Sequence, residues 1–466
     1  SNSSSPYIFK TKAKEYGFCT QRKDGKAVLM VRELSDSKAK PKEVSGFTGG
    51  TFFHSKDNLY CITRAGDIYK VNPASAKGTK IDIEANVDKT LQDEFSQMFY
   101  EAWAALDQNY YDVKFHDADW RCVRDYYSRF LPHIRNRRQL RTMMADMLGE
   151  LNSSHQGFYS TGKEETTATN TYTLETGIVF SNDRPYVVDH IVKNSPADKI
   201  GVNIKQGDEL VAVNGVRVDK KENRERYFSA VEMSEEVELK LVRNGKEFVQ
   251  KVHTQQNSEL KSLLYAEWED AAKAGVDKAT DGKVAYIHMR AMGTDDLNDF
   301  LKKMHTYAVH KDALILDLRY NNGGNVHKEV LDFLRGQEHF RWSYRDFEPV
   351  SHPNVAPAGK PIVVLVNERS LSDAEVTSNG IKNLGIAPIV GTETYRWIIF
   401  TSSVSLIDGS LCRLPAWGCY NLDGSDLEFS GVKPDYYVRN TFEDRHKGRD
   451  PQLDKAIELI QQQLKK

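Results

Sequence analysis

Hydrophobic and polar positions change their period several times along the chain. Over residues 7–85 they alternate in short runs. Ala27-Val28-Leu29-Met30-Val31, Asn58-Leu59-Tyr60-Cys61-Ile62-Thr63 and Asp67-Ile68-Tyr69-Lys70-Val71 predict strands, with turns at Asp24-Gly25 and Ala65-Gly66-Asp67. This amounts to a small β unit of one or two propeller-like blades, too few for a whole propeller. From about Lys89 the period becomes helical: Phe95, Met98, Phe99, Ala102, Trp103 and Leu106 form one stripe. Asp117-Ala118-Asp119-Trp120 opens a second helix. Residues 138–151 make a third, with Leu140, Met143, Met144, Met147 and Leu148 on one face. A polar, Thr-rich linker at 164–170 leads to strands from Thr173 to about Val252. Residues 284–438 then alternate apolar runs with helical patterns. Strands are predicted at 284–289, 313–318 and 362–366, and helices at 294–305, 326–334 and 374–384, which argues for a mostly parallel sheet covered by helices.

The candidate chemistry begins where one of those buried strands ends. Val363-Val364-Leu365-Val366 runs into Asn367-Glu368-Arg369-Ser370-Leu371-Ser372-Asp373-Ala374-Glu375. A strand-to-helix turn holds a small hydroxyl nucleophile beside the free N–H groups of a helix N-terminus. On this stretch alone Ser370 and Ser372 are equal candidates. The simpler reading makes Ser372 a helix cap, with Glu375 closing a capping box. A second polar turn, Asp317-Leu318-Arg319-Tyr320-Asn321-Asn322-Gly323-Gly324-Asn325, also follows a buried strand. Its glycines permit positive φ and close approach, and their N–H groups can aim at an anion. The competing reading is an ordinary left-handed turn; a phosphate loop lacks its Gly-Lys-Ser/Thr ending.

Composition narrows the field. The chain has 466 residues, 39% hydrophobic and 28% charged, with a formal net charge of −2. That is ordinary globular composition with room for two to four domains. The charge balance offers no bulk attraction for nucleic acid or an anionic membrane. No apolar run approaches the roughly 18–20 residues that span a bilayer. Ser1-Asn2-Ser3-Ser4-Ser5 reads as an appended flexible end, and no signal peptide is visible. The five cysteines (Cys19, Cys61, Cys122, Cys412 and Cys419) are odd in number and widely spaced. This argues against a zinc site or disulfide scaffold, although Cys412 and Cys419 could pair across a hairpin.

Two resemblances join these pieces. Asn194-Ser195-Pro196-Ala197-Asp198-Lys199-Ile200-Gly201-Val202, then Gln206-Gly207-Asp208-Glu209-Leu210-Val211-Ala212-Val213-Asn214-Gly215, resembles a PDZ domain of the type inserted in proteases. That resemblance puts Gly177 and Ile178 at the peptide-binding strand. The Arg319-Tyr320-Asn321-Asn322-Gly323-Gly324 turn, the Asn367–Asp373 turn and the PDZ motif together resemble the C-terminal processing peptidases, a family of serine proteases. One branch uses a lysine about 25 residues after the serine; Gly391–Ile399 holds none. The other, the tricorn branch, takes Ser and His from its helical region, and Ser and Glu from its core. Ser153-Ser154-His155 and Leu427-Glu428-Phe429-Ser430-Gly431-Val432-Lys433-Pro434-Asp435 are similar to those stretches, and Asp450-Pro451-Gln452-Leu453 is similar to its ending.

The resemblance implies a serine peptidase acting on peptides or unfolded protein through an acyl-enzyme. Ser372 would be the nucleophile and His155 its base. Ser154 would hold the second imidazole nitrogen, and Glu428 would orient Ser154. Backbone N–H groups of Gly324 or Gly323 and of Asp373 would form the oxyanion hole. No metal, cofactor or nucleic acid is implied, a homo-oligomer is left open, and the location is cytoplasmic by resemblance or periplasmic after loss of a leader. The alternative is a catalytically inactive, PDZ-containing peptide-binding scaffold. Asn322 stands where the branch has a third glycine, and Tyr395-Arg396-Trp397-Ile398-Ile399-Phe400 is bulkier than usual there. Trp342, with Asp346 nearby, falls where an acidic residue sets preference for basic side chains, so that preference is not expected here. The expected architecture is multidomain α+β. Residues 1–87 form a β-rich unit, 88–163 a helical bundle, 171–256 a PDZ-like domain, and 257–466 an α/β core of ClpP/crotonase-like kind with a C-terminal helix.

Overall fold

The computed structural model describes residues 6–23, 26–83, 89–167, 170–232, 234–336, 338–352 and 359–465. The end at 1–5, the Asp24-Gly25 turn and part of the linker at 164–170 lie outside these residues. The chain divides into two compact units, 1–89 and 90–466.

The first unit is two antiparallel four-stranded sheets, each a simple meander. One runs through Tyr7–Lys10, Glu15–Lys23, Lys26–Glu33 and Lys42–Glu43. The other runs through Thr51–Ser55, Asn58–Ile62, Ile68–Asn72 and Lys77–Ile81. Alternation puts Phe18, Leu29, Val31, Leu59, Cys61 and Val71 into a shared core. Gly66, at φ +88°, closes the expected turn between two of the strands.

The second unit opens with α1 (Leu91–Asn109), α2 (Trp120–Ser128) and α3 (Arg137–Gly149). Thr90, Asp119 and Asn136 cap their N-termini by accepting from N–H groups of Asp93, Cys122 and Gln139. The predicted stripe on α1 is buried, except that Trp103 is half-exposed. Its indole donates to the Trp120 carbonyl (2.8 Å), and the Trp120 indole donates back to the Trp103 carbonyl (3.2 Å). The linker after α3 begins tethered: Glu164 accepts from the buried Arg137 (2.6 Å) and Glu165 from Arg141 (2.7 Å).

The β-rich region that follows packs Ile178, Val188, Leu210, Val213, Val237, Leu239 and Leu241 between Ile178–Phe180 and Val188–Ile191 on one side and the sheet built on Glu209–Val213, Glu236–Arg243 and Lys246–His253 on the other.

Five strands, Val284–His288, Ala313–Asp317, Ile362–Val366, Ile389–Gly391 and Tyr436–Tyr437, form a parallel sheet in chain order. Strands laid down in order with right-handed crossovers put every connecting helix on one face. Ala285, Ile287, Leu314, Leu316, Val364 and Val366 accordingly pack with residues of α5 (Thr294–Thr306), α6 (His327–Leu334) and α7 (Asp373–Asn383). Their neighbours Val284, Tyr286, Ala313, Ile315, Val363 and Leu365 face the other way. They meet α4 (Asn257–Ala279) and α9 (Pro451–Leu464), the latter preceded by the short α8 (Phe442–His446). Burial on both faces explains why these strands read as unbroken apolar runs.

Two features escape the sequence pattern. α4 buries only Ala272 and Val276, so it carries little periodic signal. The hairpin Phe400–Ser405 and Leu411–Trp417 leaves the core, pairs with Gly157–Tyr159, and buries Leu406, Cys412 and Leu414 among the helices. It fastens the helical region to the sheet region. All five cysteines are free, including Cys412 and Cys419. Among the described residues no helix is long and apolar enough to cross a membrane.

One buried ion pair fixes the end of the second core strand. Arg319 clasps Asp317 through Nε (3.0 Å) and Nη2 (2.7 Å), and Asp450 at the start of α9 through Nη1 (2.8 Å). Burial alone would push the Asp317 carboxyl up, but Arg319 outweighs it and holds the group below the usual carboxylate range. Arg319→Met strands the Asp317 charge and is expected to cost about 3–5 kcal/mol in denaturant unfolding. An unchanged unfolding midpoint would contradict this reading.

Candidate active site

Two of the parallel strands, Ala313–Asp317 and Ile362–Val366, lie side by side and end at the same edge of the sheet. Within the turns that leave them Leu318, Arg319, Asn321, Gly323, Asn367 and Ser370 are buried, so their polar groups need partners within the protein. Those partners are each other. Leu371 N–H donates to the Asn321 carbonyl (3.0 Å) and Tyr320 N–H to Asn367 Oδ1 (3.1 Å). Ser370 Oγ donates to the Leu318 carbonyl (2.8 Å) and accepts from Asn367 N–H (3.0 Å). Ser370 is fully buried, and its hydroxyl is consumed in this stitching. On their own stretch of sequence Ser370 and Ser372 are equivalent, and the family resemblance points to Ser372; here their environments also separate them.

Ser372 stands at the head of α7 with φ 56° and ψ −119°, outside the usual regions for a residue with a Cβ. Strain of this kind persists only where the surroundings impose it, and it marks functional turns. A β-carbon built on Gly323 would lie 2.6 Å from Ser372 Cβ and 3.2 Å from Asp373 N, so the glycine turn presses directly on this serine. The hydroxyl of Ser372 does not cap the helix. Only the Glu375 half of the expected capping box forms: Ser372 N–H donates to Glu375 Oε1 (3.0 Å), while Glu375 N–H returns to the Ser372 carbonyl (2.8 Å). The strained φ/ψ of the cap residue turns the side chain away from that duty.

The N–H groups divide in the same way. Gly323 N–H is taken by Asn321 Oδ1 (2.8 Å). Gly324 and Asp373 N–H groups have no acceptor within the described residues. Of the two glycines named from sequence, Gly324 is the one with a donor to offer. It is held by its neighbours, Met292 N–H to the Gly323 carbonyl (2.8 Å) and Asn325 N–H to the Met292 carbonyl (2.9 Å).

Ser154 and Glu428 meet. Ser154 N–H donates to Glu428 Oε1 (2.5 Å) and Ser154 Oγ to Glu428 Oε2 (2.8 Å). Burial pushes the Glu428 carboxyl up, partly offset by these two donors. His155 lies elsewhere in the same buried layer. It has no hydrogen bond to Ser154 or Ser372. Its Nε2 bonds the Trp397 carbonyl (2.9 Å), its ring packs on the Trp397 indole (centroids 4.8 Å), and its buried Nδ1 has no partner. Burial, helped by the charge of Arg413, pushes His155 down to about 4.

Glu375 links the two halves. Besides Ser372 N–H, it accepts from Thr394 Oγ1 (2.5 Å), Arg396 N–H (2.8 Å) and Trp397 N–H (2.8 Å). The start of the bulky 395–400 segment is therefore anchored to the carboxylate that binds Ser372 N–H, and the same segment holds the histidine through the Trp397 carbonyl. Glu375 was visible in the sequence only as a cap. Asn321, Asn367 and Trp397 carried no signal beyond their place after buried strands.

In the β-rich region, Gly177 has φ +85°, and a β-carbon there would collide with Ser195. Ile178 begins a strand paired on one side with Val188–Ile191 and, among the described residues, with no strand on its other edge.

Comparison with known proteins agrees with this layout. Residues 283–438 match the model of peptidase family S41, residues 91–149 the tricorn protease C1 domain, and residues 173–254 the PDZ domain. The chain is 29% identical over 386 residues to tricorn protease homolog 1 of Streptomyces coelicolor, covering 78% of this chain and 35% of that protein. It is 25% identical over 464 residues to the tricorn protease of Thermoplasma volcanium, covering 95% and 43%. The crystal structure of the tricorn protease shares the fold, with a TM-score of 0.75 at 20% identity over 98% of this chain and 46% of that one. The chain thus spans less than half the length of these relatives.

Two outcomes follow for any hydrolysis the site performs. Gly323→Ala places a methyl against Ser372 at a positive φ and should abolish turnover while leaving the distant helical core folded; full activity would refute the close contact. A histidine held near 4 stays neutral until the pH falls well below 6.5, so the acid limb of kcat/KM should lie nearer 4 than 6.5. Glu375 and Glu428, both raised by burial, gain protons in the same direction and steepen that limb. A midpoint at or above 6.5 would contradict the burial of His155.

Proposed function

We propose that this chain, which carries a peptidase family S41 domain together with a tricorn C1 domain and a PDZ domain, is a serine peptidase that cleaves peptides or unfolded protein through Ser372, His155, Ser154 and Glu428. The observation that carries the proposal is the Ser372 turn: a strained residue with an uncommitted hydroxyl, beside two backbone N–H groups without acceptors.

In this mechanism Ser372 Oγ attacks the scissile carbonyl carbon as His155 takes its proton. The carbonyl oxygen becomes an oxyanion between the N–H groups of Gly324 and Asp373. The intermediate collapses as His155 gives the proton to the leaving amine, and an acyl-enzyme remains on Ser372. Water, deprotonated by the same imidazole, attacks the ester; the acyl–oxygen bond breaks as the imidazole returns that proton to Ser372 Oγ, and the acid is released. Ser154, itself bound by Glu428, supports the imidazole through its second nitrogen.

His155 must leave the Trp397 carbonyl to take up this role. The 395–400 segment therefore has to shift as substrate binds, a closure common among peptidase-like sites that complete themselves on binding. The open edge beside Ile178 suits an extended peptide added as a strand, which would bring substrate to the chain without chemistry. A binding scaffold that never hydrolyses is the second reading, and the contact between His155 and Trp397 is what favours it.

A fluorogenic peptide mixture separates the two. Under the peptidase reading the wild type turns over peptides, and Ser372→Ala and His155→Ala each lower kcat at least about 1,000-fold. Glu428→Gln costs less, since it acts through Ser154. Binding without turnover by the wild type, or turnover undiminished in Ser372→Ala, would sink the proposal.

A further inference from the structure

The side chain of Asp373 has no task in that mechanism, which uses only its N–H. Yet it is buried, with its carboxylate fully shielded from solvent. Ionised groups stay buried only when their charge is answered by donors. Asp373 Oδ2 accepts from Val326 N–H (2.7 Å) and His327 N–H (3.0 Å), and Oδ1 accepts from His327 Nδ1 (2.5 Å). Val326 and His327 begin α6, whose free N–H groups and dipole suit an anion.

The placement of this contact is what gives it meaning. Asp373 follows the nucleophile directly, and Val326 comes two residues after Gly324. Asp373 therefore belongs to one side of the oxyanion hole by its backbone, and by its side chain it grips the chain that supplies the other side. Gly324 is also pinned on its opposite flank by the Met292 pairing. We propose that the Asp373 carboxylate and the His327 imidazole form a clamp that sets the separation of the two oxyanion donors, making both side chains positioning residues for hydrolysis. This rests on the peptidase reading given above.

A clamp of this kind acts on the transition state more than on the bound substrate, because the oxyanion exists only there. Asp373→Ala keeps the N–H and removes the grip. It is expected to lower kcat about 10–100-fold, as displacement of a reacting group by about 1 Å does, with KM within about twofold. The rate of inactivation by a simple fluorophosphonate, whose phosphoryl oxygen occupies the same hole, should fall in step with kcat. His327→Phe removes one of the three bonds and should show the same pattern more weakly. His327→Asn, whose Nδ2 can replace the Nδ1 donor, should restore much of the loss, which a merely structural role would not predict.

Circular dichroism and thermal unfolding accompany each variant. If Asp373→Ala does not fold, the His327→Phe and His327→Asn pair decides. Folded Asp373→Ala and His327→Phe proteins with kcat and inactivation rates within twofold of wild type would overturn the clamp. So would KM rising as much as kcat falls. A wild type that neither hydrolyses peptides nor reacts with the fluorophosphonate would overturn the peptidase reading itself, and the clamp with it. Failure of the clamp alone shows only in the variants.

Discussion

Two neighbouring parallel strands end side by side, and in the turns that follow Asn321, Gly323, Asn367 and Ser370 are shut off from water. That constraint shapes the rest of the site. Backbone groups buried without partners cost on the order of 1–3 kcal/mol each, so each turn satisfies the other through the Asn321 carbonyl, Asn367 and Ser370. Once the two turns are stitched, the strained Ser372 has nowhere to relax, and Gly323 can only be a glycine. The hydroxyl left over from this arrangement is that of Ser372. The buried Arg319–Asp317 pair anchors the same turn from below and ties it to α9.

The proposed base is organised differently from the proposed nucleophile. Ser372 and its neighbours are fixed by the core sheet. His155 comes from the end of the helical region and is held by a segment of bulky residues, Trp397 above all. Glu375 is the joint between them, bonded both to Ser372 N–H and to the backbone of that segment. A shift of the segment that frees His155 is thus felt at the serine. The arrangement couples that segment to the same carboxylate that braces Ser372.

Much of this was legible in the sequence because its causes are local. Unbroken runs such as Val363–Val366 announce strands buried on both faces, and the polar turns after them announce the edge where the candidate site lies. The stripe on α1 and the meander of the first unit follow from periodicity alone. What was not legible depends on contacts between distant residues. The pattern of the stretch itself does not tell Ser370 from Ser372, which only the resemblance picked out, and the physical difference is that the Leu318 carbonyl claims Ser370. The hairpin at 400–417 alternates weakly because one face packs on helices from another part of the chain. The Glu375 pattern correctly suggested a cap, but the other donors to its carboxylate lie about twenty residues away. The place of His155 against Trp397 could not be read from the order of motifs, which gives roles but not the state in which the residues rest.

The central claim is that one serine among several is the nucleophile, and covalent labelling addresses it most directly. The wild-type protein is treated with a fluorophosphonate, digested, and the adduct located by mass spectrometry. A single phosphonyl adduct on Ser372, with Ser370 and Ser154 unmodified, is the predicted result. An adduct on Ser370 or Ser154, or none on a preparation that hydrolyses peptides, would contradict it.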